Sequence, residues 1–448
     1  MLDWLRSHSG WTTIPIVLAM LALMAIGVSA IRASELAEGD TPTFAVRQAV
    51  SCGVGLVVFV LAVAVPYQRF GRAAYVLFGI TLGLLVLVLF LPAIRYSHRW
   101  IAVGPVRFQP SELAKLSFIL LLAWYLRYRD NYRRLTGLAV PFALTFVPMV
   151  LILREPDLGT ALLFLPTLYF MLFMAGARWL HMVGIVAVAT AVVLMPIPHR
   201  LGEAPTGPDA DRAALAYGSF DWGGQRYGLV AAPLLIMEGH QLGRVDGWLR
   251  QGDPEVYMDR GFQLHQSKTA LACGQLLGRG DWAEADVHLA LLPDDHTDFI
   301  FSVVGGQWGF VGCIGVLLLY GVIFLVGIEI ATGTYEPFGR LLAVGVMGLL
   351  LAQIFINVGM TMGLMPITGM TLPFVSYGGS SLVVNCAALG LLANVGLRRP
   401  ILLGRRPFEH GEKRERVLAV RKMGHASLAG LRGGPTETPR SARSSRTR

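Results

Sequence analysis

The chain has little charge, few cysteines and no nucleotide-binding loop. Charged residues make up 15% of its 448 positions, against 54% hydrophobic, and the mean hydropathy is +0.56. That balance excludes an ordinary soluble domain and reads as a polytopic membrane protein. Of the four cysteines, Cys52, Cys313 and Cys386 fall in apolar segments and Cys273 in a loop. With no CxxC pair and no Cys/His ligand spacing, they form neither a thiolate metal site nor a disulfide framework and are read as packing residues. No P-loop and no GxGxxG followed by an acid opens a helix, which argues against ATP as an energy source. No internal repeat is evident, which argues against an inverted-repeat transporter. The first apolar segment follows little basic charge and carries no cleavage pattern, so it reads as a retained helix.

What is present is a series of apolar segments, at about 12–30, 48–66, 73–93, 111–127, 138–153, 158–175, 179–196, 299–330, 339–363 and 380–397. A spanning helix takes roughly 20 such residues. The expected fold is an all-α integral membrane protein of about ten transmembrane helices, with a large extracytoplasmic loop, 197–297, between helices 7 and 8. The membrane domain covers 1–398. Arg69, Arg72, Arg127, Arg129, Arg133, Arg134, Arg178 and Arg340 lie on one side with both termini, and the Lys/Arg bias makes that side cytoplasmic. The tail, 399–448, reads as a basic, disordered cytoplasmic end lying near anionic membrane lipids. From Arg398 it holds fourteen Lys/Arg against four Glu, a net of +10. The rest of the chain is then near neutral, and the basic total signals no nucleic acid. Within the outer loop, 199–228 is rich in Gly, Ala, Asp and Arg and is expected to be mobile. The stretch 229–290 carries apolar helical runs, Leu229–Met237 and Ala270–Leu277, and is expected to be folded.

Four stretches carry chemistry. In Leu292-Pro293-Asp294-Asp295-His296-Thr297-Asp298-Phe299, acidic and imidazole groups stand at the mouth of an apolar helix, where carboxylates are costly unless solvated, paired or used. In Phe108-Gln109-Pro110-Ser111-Glu112-Leu113-Ala114-Lys115, Pro110 suits the first turn of a helix. Glu112 and Lys115 then share one face and pair. Arg99 and Arg107 precede them on the outer side, against the charge bias, and are placed to hold an anion. The third stretch is Arg154-Glu155-Pro156-Asp157-Leu158-Gly159-Thr160, three charges in one turn. The fourth runs from Asn357 through Gly363, Pro366, Gly369 and Pro373 to Ser376-Tyr377-Gly378-Gly379-Ser380-Ser381. Gly and Pro at that density break helices at membrane depth, which is tolerated only where the backbone is buried or lines a wet site. Lys268, at the head of an outer-loop helix, faces the outer compartment and is a further phosphate candidate.

These four motifs, in this order, resemble the SEDS family (shape, elongation, division and sporulation proteins), over about Val17–Arg399. Met360-Thr361, Pro156–Thr160 and Trp308–Gly312 resemble the RodA branch, whereas Gly369–Pro373 is closer to FtsW and sporulation members. The resemblance implies a ten-helix glycosyltransferase that polymerises lipid II on the outer face of the bacterial cytoplasmic membrane. It also implies a class B penicillin-binding protein as partner. The family's essential carboxylate matches Asp298, and its Glu and Lys match Glu112 and Lys115. Two departures stand out: Ala290 occupies a position that is acidic in many relatives, and the insertion around 199–228 is longer than usual.

On this reading Asp298 is the general base, with His296 as the weaker alternative. Lys115, with Arg99, Arg107 or Lys268, receives the pyrophosphate. Asp157, Ser376 and Ser380 complete the substrate cavity. A helix N-terminus favours ionised Asp298, while burial beside Phe299 opposes it. No cofactor is required by the pattern, and a divalent cation, magnesium or manganese, is left open. Two other classes stay open: a lipid II flippase or transporter gated by Asp298, and a non-catalytic scaffold for a penicillin-binding protein.

Overall fold

The computed structural model describes residues 13–37, 41–92, 99–103, 106–129, 131–201, 208–222, 225–237, 239–257, 259–279 and 297–398. Ala290, His296 and the basic tail lie outside the described residues.

Each of the expected apolar segments is helical. Helices α1 (Ile14–Ala37), α2 (Thr43–Ala64) and α3 (Tyr67–Leu89) come first. Buried Glu35 near the end of α1 accepts from the amides of Phe44 (2.6 Å) and Ala45 (2.9 Å), satisfying donors at the start of α2 that have no partner within that helix. A short hairpin follows, β1 (Ile101–Val103) against β2 (Val106–Phe108), with Ala102 opposite Arg107. It delivers the chain to α4 (Pro110–Leu126), which starts on a proline whose missing N–H is not needed there. α5 (Ala139–Arg154), α6 (Leu158–Ala175) and α7 (Trp179–Val193) complete the first half.

Beyond α7, the loop is built differently from the expectation. Strands β3 (Pro196–Leu201), β4 (Ser219–Trp222) and β5 (Gln225–Ala231), with α8 (Pro208–Ala214) between the first two, form an antiparallel sheet of order β3-β5-β4. The stretch expected to be mobile, 199–228, therefore holds β4 and parts of β3 and β5. The run Leu229–Met237 is the end of a strand followed by a five-residue helix, α9 (Ala232–Ile236). The β-branched and aromatic residues of this region alternate faces rather than following a helical stripe. Helices α10 (Gly239–Leu249), α11 (Pro254–Tyr257) and α12 (Phe262–Gly274) follow.

The last three helices are α13 (Ile300–Gly333), α14 (Pro337–Thr361) and α15 (Gly379–Leu397). α4, α14 and α15 are buried along most of their length, while α2 and α3 present exposed Val and Leu. The centre of the bundle is therefore α4 with α14 and α15. Eight helices among the described residues are long and apolar enough to cross a membrane. Of the ten crossings expected from the sequence, those of α4 (17 residues) and α7 (15 residues) fall short by that measure.

Helix α13 is broken at Gly309, whose φ of 66° and ψ of −162° lie outside helical space. At the break, the amides of Phe310 and Val311 donate to the carbonyls of Gln275 (2.8 Å) and Leu276 (3.1 Å), just past α12. A Cβ on Gly309 would stand 2.3 Å from the nitrogen of Gly278. The long loop after α7 is thus hydrogen-bonded directly into a membrane helix.

Candidate active site

Asp298 sits in the turn immediately before α13, followed by buried Phe299. Phe299 packs with Leu264 of α12 and Ile367 of the broken segment, with Trp248 against them. The backbone is fixed from the other side by Asn357, whose amide donates to the carbonyls of Asp298 (3.0 Å) and Met370 (2.6 Å). One side chain therefore ties the aspartate's turn to the broken segment 362–378. Gly369 in that segment has φ +70°. The Cβ it lacks would stand 3.1 Å from Arg244 Nη1 and 3.4 Å from Asp298 Oδ2. Guanidinium and carboxylate thus both crowd one glycine, and any side chain there would press on each.

Lys268 on α12 donates to Gln251 Oε1 at 2.9 Å. Gln251 and Trp248 in turn donate to the carbonyl of Gly363 at 3.2 and 3.0 Å. Ser267 lies 2.5 Å from Ser302 and donates to the Thr361 carbonyl at 2.9 Å. These bonds clamp α12 to α13 and to the end of α14, and place Lys268 beside the same broken segment.

On the other side of that segment, Asp157 caps α6. It accepts from the Thr160 amide (3.1 Å), the Thr160 hydroxyl (2.8 Å) and Gln109 Nε2 (3.0 Å), with Ser111 Oγ at 3.5 Å. Two residues on, a Cβ at Gly159 would meet the Thr368 carbonyl at 2.6 Å, so α6 begins in contact with the broken segment. Lys115 Nζ lies 2.8 Å from Glu112 Oε2, both buried in the first turns of α4. Ser380 donates to the Arg107 carbonyl (3.0 Å) and accepts from the Gln109 amide (3.3 Å). Ser376 accepts from the Leu372 amide at 2.7 Å. A continuous series of contacts therefore runs from Asp298 through Asn357, Met370, Gly159 and Asp157 to α4.

The candidates are not equivalent in this setting. Arg99 gives Nε to the Glu155 carbonyl (2.8 Å) and Nη2 to the Pro156 carbonyl, which orders the turn before α6. Arg107 is exposed on its hairpin. Ser376 and Ser380 hold backbone. His296 lies outside the described residues. Sequence reasoning missed Arg244, which carries no motif and is brought to Asp298 only by the folding of the outer loop. It also left Glu155 without a role. Glu155 is fully buried, and neither carboxylate oxygen has a hydrogen-bond partner. Its pKa is pushed up to about 8, first by burial and then by the charge of Asp157, with Arg99 opposing. Among the described residues, no three of His, Cys, Asp or Glu cluster as metal ligands would.

With this geometry in place, comparisons bear on the whole chain. The profile of the cell cycle protein family of FtsW, RodA and SpoVE matches residues 8–203 and 224–399. Peptidoglycan glycosyltransferase MrdB of Escherichia coli (strain K12) is 31% identical over 401 residues, covering 89% of this chain and 96% of that protein. Peptidoglycan glycosyltransferase RodA of Treponema pallidum (strain Nichols) is 34% identical, covering 86% and 97%. Among solved structures, a chain from a peptidoglycan synthase complex that coordinates polymerization and crosslinking superposes with TM-score 0.67 at 30% identity, covering 85% of this chain and 96% of its own. The rod shape determining protein RodA of Thermus thermophilus gives 0.58 at 28%, covering 86% and 97%.

Proposed function

Because the chain belongs to the cell cycle protein family of FtsW, RodA and SpoVE, we propose that it is a peptidoglycan glycosyltransferase that polymerises lipid II for wall elongation and cell shape. The observation that carries the reading is Asp298 and Arg244 brought together beside Gly369, a carboxylate and a cation at the mouth of a membrane helix. Polymerisation needs that combination. The acceptor sugar's hydroxyl attacks the donor's anomeric carbon while the bond to the lipid pyrophosphate breaks. Asp298 takes the hydroxyl proton, a role worth roughly 10²–10⁴-fold. The departing pyrophosphate gathers negative charge, which fixed cations stabilise without reorganising. Arg244 and Lys268 are the cations assigned to it. Lys115, already neutralised by Glu112, and Arg99, bonded to two carbonyls, shape the cavity instead. Arg107, on the exposed hairpin, is assigned to the cavity entrance. The protein resides in the bacterial cytoplasmic membrane with both termini inside and this site on the outer face. Its partner is a class B penicillin-binding protein, a reading supported by the similarity to a chain of a synthase complex.

The test is incubation of the purified chain, with and without its cognate penicillin-binding protein, with labelled lipid II, followed by gel separation. Wild type gives long glycan, and Asp298→Asn lowers the yield by roughly 10²-fold or more, the scale of a lost general base. Equal polymer from Asp298→Asn removes the aspartate from the chemistry. No polymer under either condition, with movement of lipid II across liposomes, makes the chain a transporter. Growth supported by the Asp298→Asn variant makes it a scaffold.

A further inference from the structure

We propose that the outward face of the β3-β5-β4 sheet is a lipid-contact surface, seated in the headgroup region of the membrane beside α7. The inference stands independently of the reaction proposed above.

The alternation of the three strands separates two faces. The register places Phe220 opposite Tyr227 and Arg226 opposite both Leu201 and Asp221. Leu201 and Val230 point inward, where Val230 packs with Leu234 and Leu242. Phe220, Trp222 and Tyr227 share the outward face. Phe220 stacks on Tyr227 with ring centroids 5.6 Å apart, and Trp222 lies 6.3 Å from the same ring. Trp222 is 73% exposed. Arg200, opposite Tyr227, adds an exposed cation to this face. Aromatic rings with a cation at their margin suit the boundary between acyl chains and phosphate.

Two observations identify lipid as the occupant. The first is continuity. Val192, Val193, Leu194 and Met195 are exposed at the end of α7, and β3 begins at the next residue. The second is depth. Fifteen residues of α7 rise only about 22 Å, short of the roughly 30 Å hydrocarbon core. The chain that follows is therefore still at the membrane boundary when the sheet starts. The free edge fits that depth. Pro196 and Pro198 alternate along β3. Neither has an N–H, and each holds a position whose donor would otherwise face away from β5, so the edge exposes fewer unsatisfied donors to an apolar medium. The family profile skips 204–223, a span that contains β4 and two of the three rings, so that part of the surface lies outside the stretch the family profile describes.

The experiment places a nitroxide at Trp222→Cys, Pro198→Cys or Asp221→Cys, one at a time, in the full-length protein with its four native cysteines replaced by alanine, in lipid nanodiscs. At 222 and 198, collisions with oxygen exceed those with a water-soluble nickel chelate several-fold, with 198 the deeper of the two. At Asp221, on the other face of β4, the order is reversed. Gel filtration confirms each variant's fold, and two independent positions on the apolar face guard against one failing. If 222 and 198 are as accessible to nickel as 221, the proposal is overturned. If 222 is then shielded only after adding isolated glycan or the cross-linking partner, the face belongs to carbohydrate or to protein.

Discussion

At the residue scale, the buried charges are the most sensitive features. Lys115 and Glu112 form a 2.8 Å pair in the first turns of α4. Removing one partner from a buried pair leaves an uncompensated charge and typically costs about 3–5 kcal/mol. Lys115→Met should lower the thermal unfolding midpoint in detergent clearly, and Glu112→Gln/Lys115→Met should recover most of the loss. If the double variant is as unstable as the single, the pair's charge is not the cause. Glu155 is the opposite case, a carboxyl enclosed without a partner and pushed up to about 8 from 4.5. Between those values the folded chain holds a proton that the unfolded chain has released. Folding stability therefore falls as pH rises from about 4.5 to 8, by at most about 1.4 kcal/mol per pH unit. Glu155→Gln should flatten unfolding midpoints across pH 5–8, and an unchanged slope would show that Glu155 is not the titrating group. The i,i+3 pair was legible because helical spacing alone dictates it. Glu155 and Arg244 were not, since burial and a cross-loop approach leave no trace in spacing.

At the element scale, the junction between α13 and the loop is Gly309. Its backbone lies in a region open essentially to glycine, where other residues pay of order 1–3 kcal/mol. A Cβ there would also collide with the backbone of Leu276 and Gly278. Gly309→Ala should therefore lower stability by at least that amount and reduce polymer yield, although it touches no proposed substrate group. Full activity with unchanged stability would show that the junction is dispensable. The membrane helices were legible because a long apolar run has few alternatives in lipid. The β3-β5-β4 sheet was not, because strands of four to seven residues separated by Gly, Asp and Arg resemble a flexible loop in composition. The break within α13 was also hidden, as Gly309 stands in an apolar run with the same character on both sides.

At the scale of the whole molecule, the bundle and the outer loop are not two bodies resting on each other. The amides of Phe310 and Val311 belong to a membrane helix by sequence, yet their acceptors, Gln275 and Leu276, lie in the long loop before it. Their protection from hydrogen exchange must therefore report the opening of that loop rather than the fraying of a helix, since exchange follows the smallest unit that opens together. Ser267→Ala, which removes a clamp between α12 and α13, should speed exchange at 310 and 311 while leaving amides beyond 316 unchanged; equal acceleration along α13 would mean the helix opens as one. Whatever docks on the loop thus has a linkage, through main chain alone, to the helix that follows Asp298.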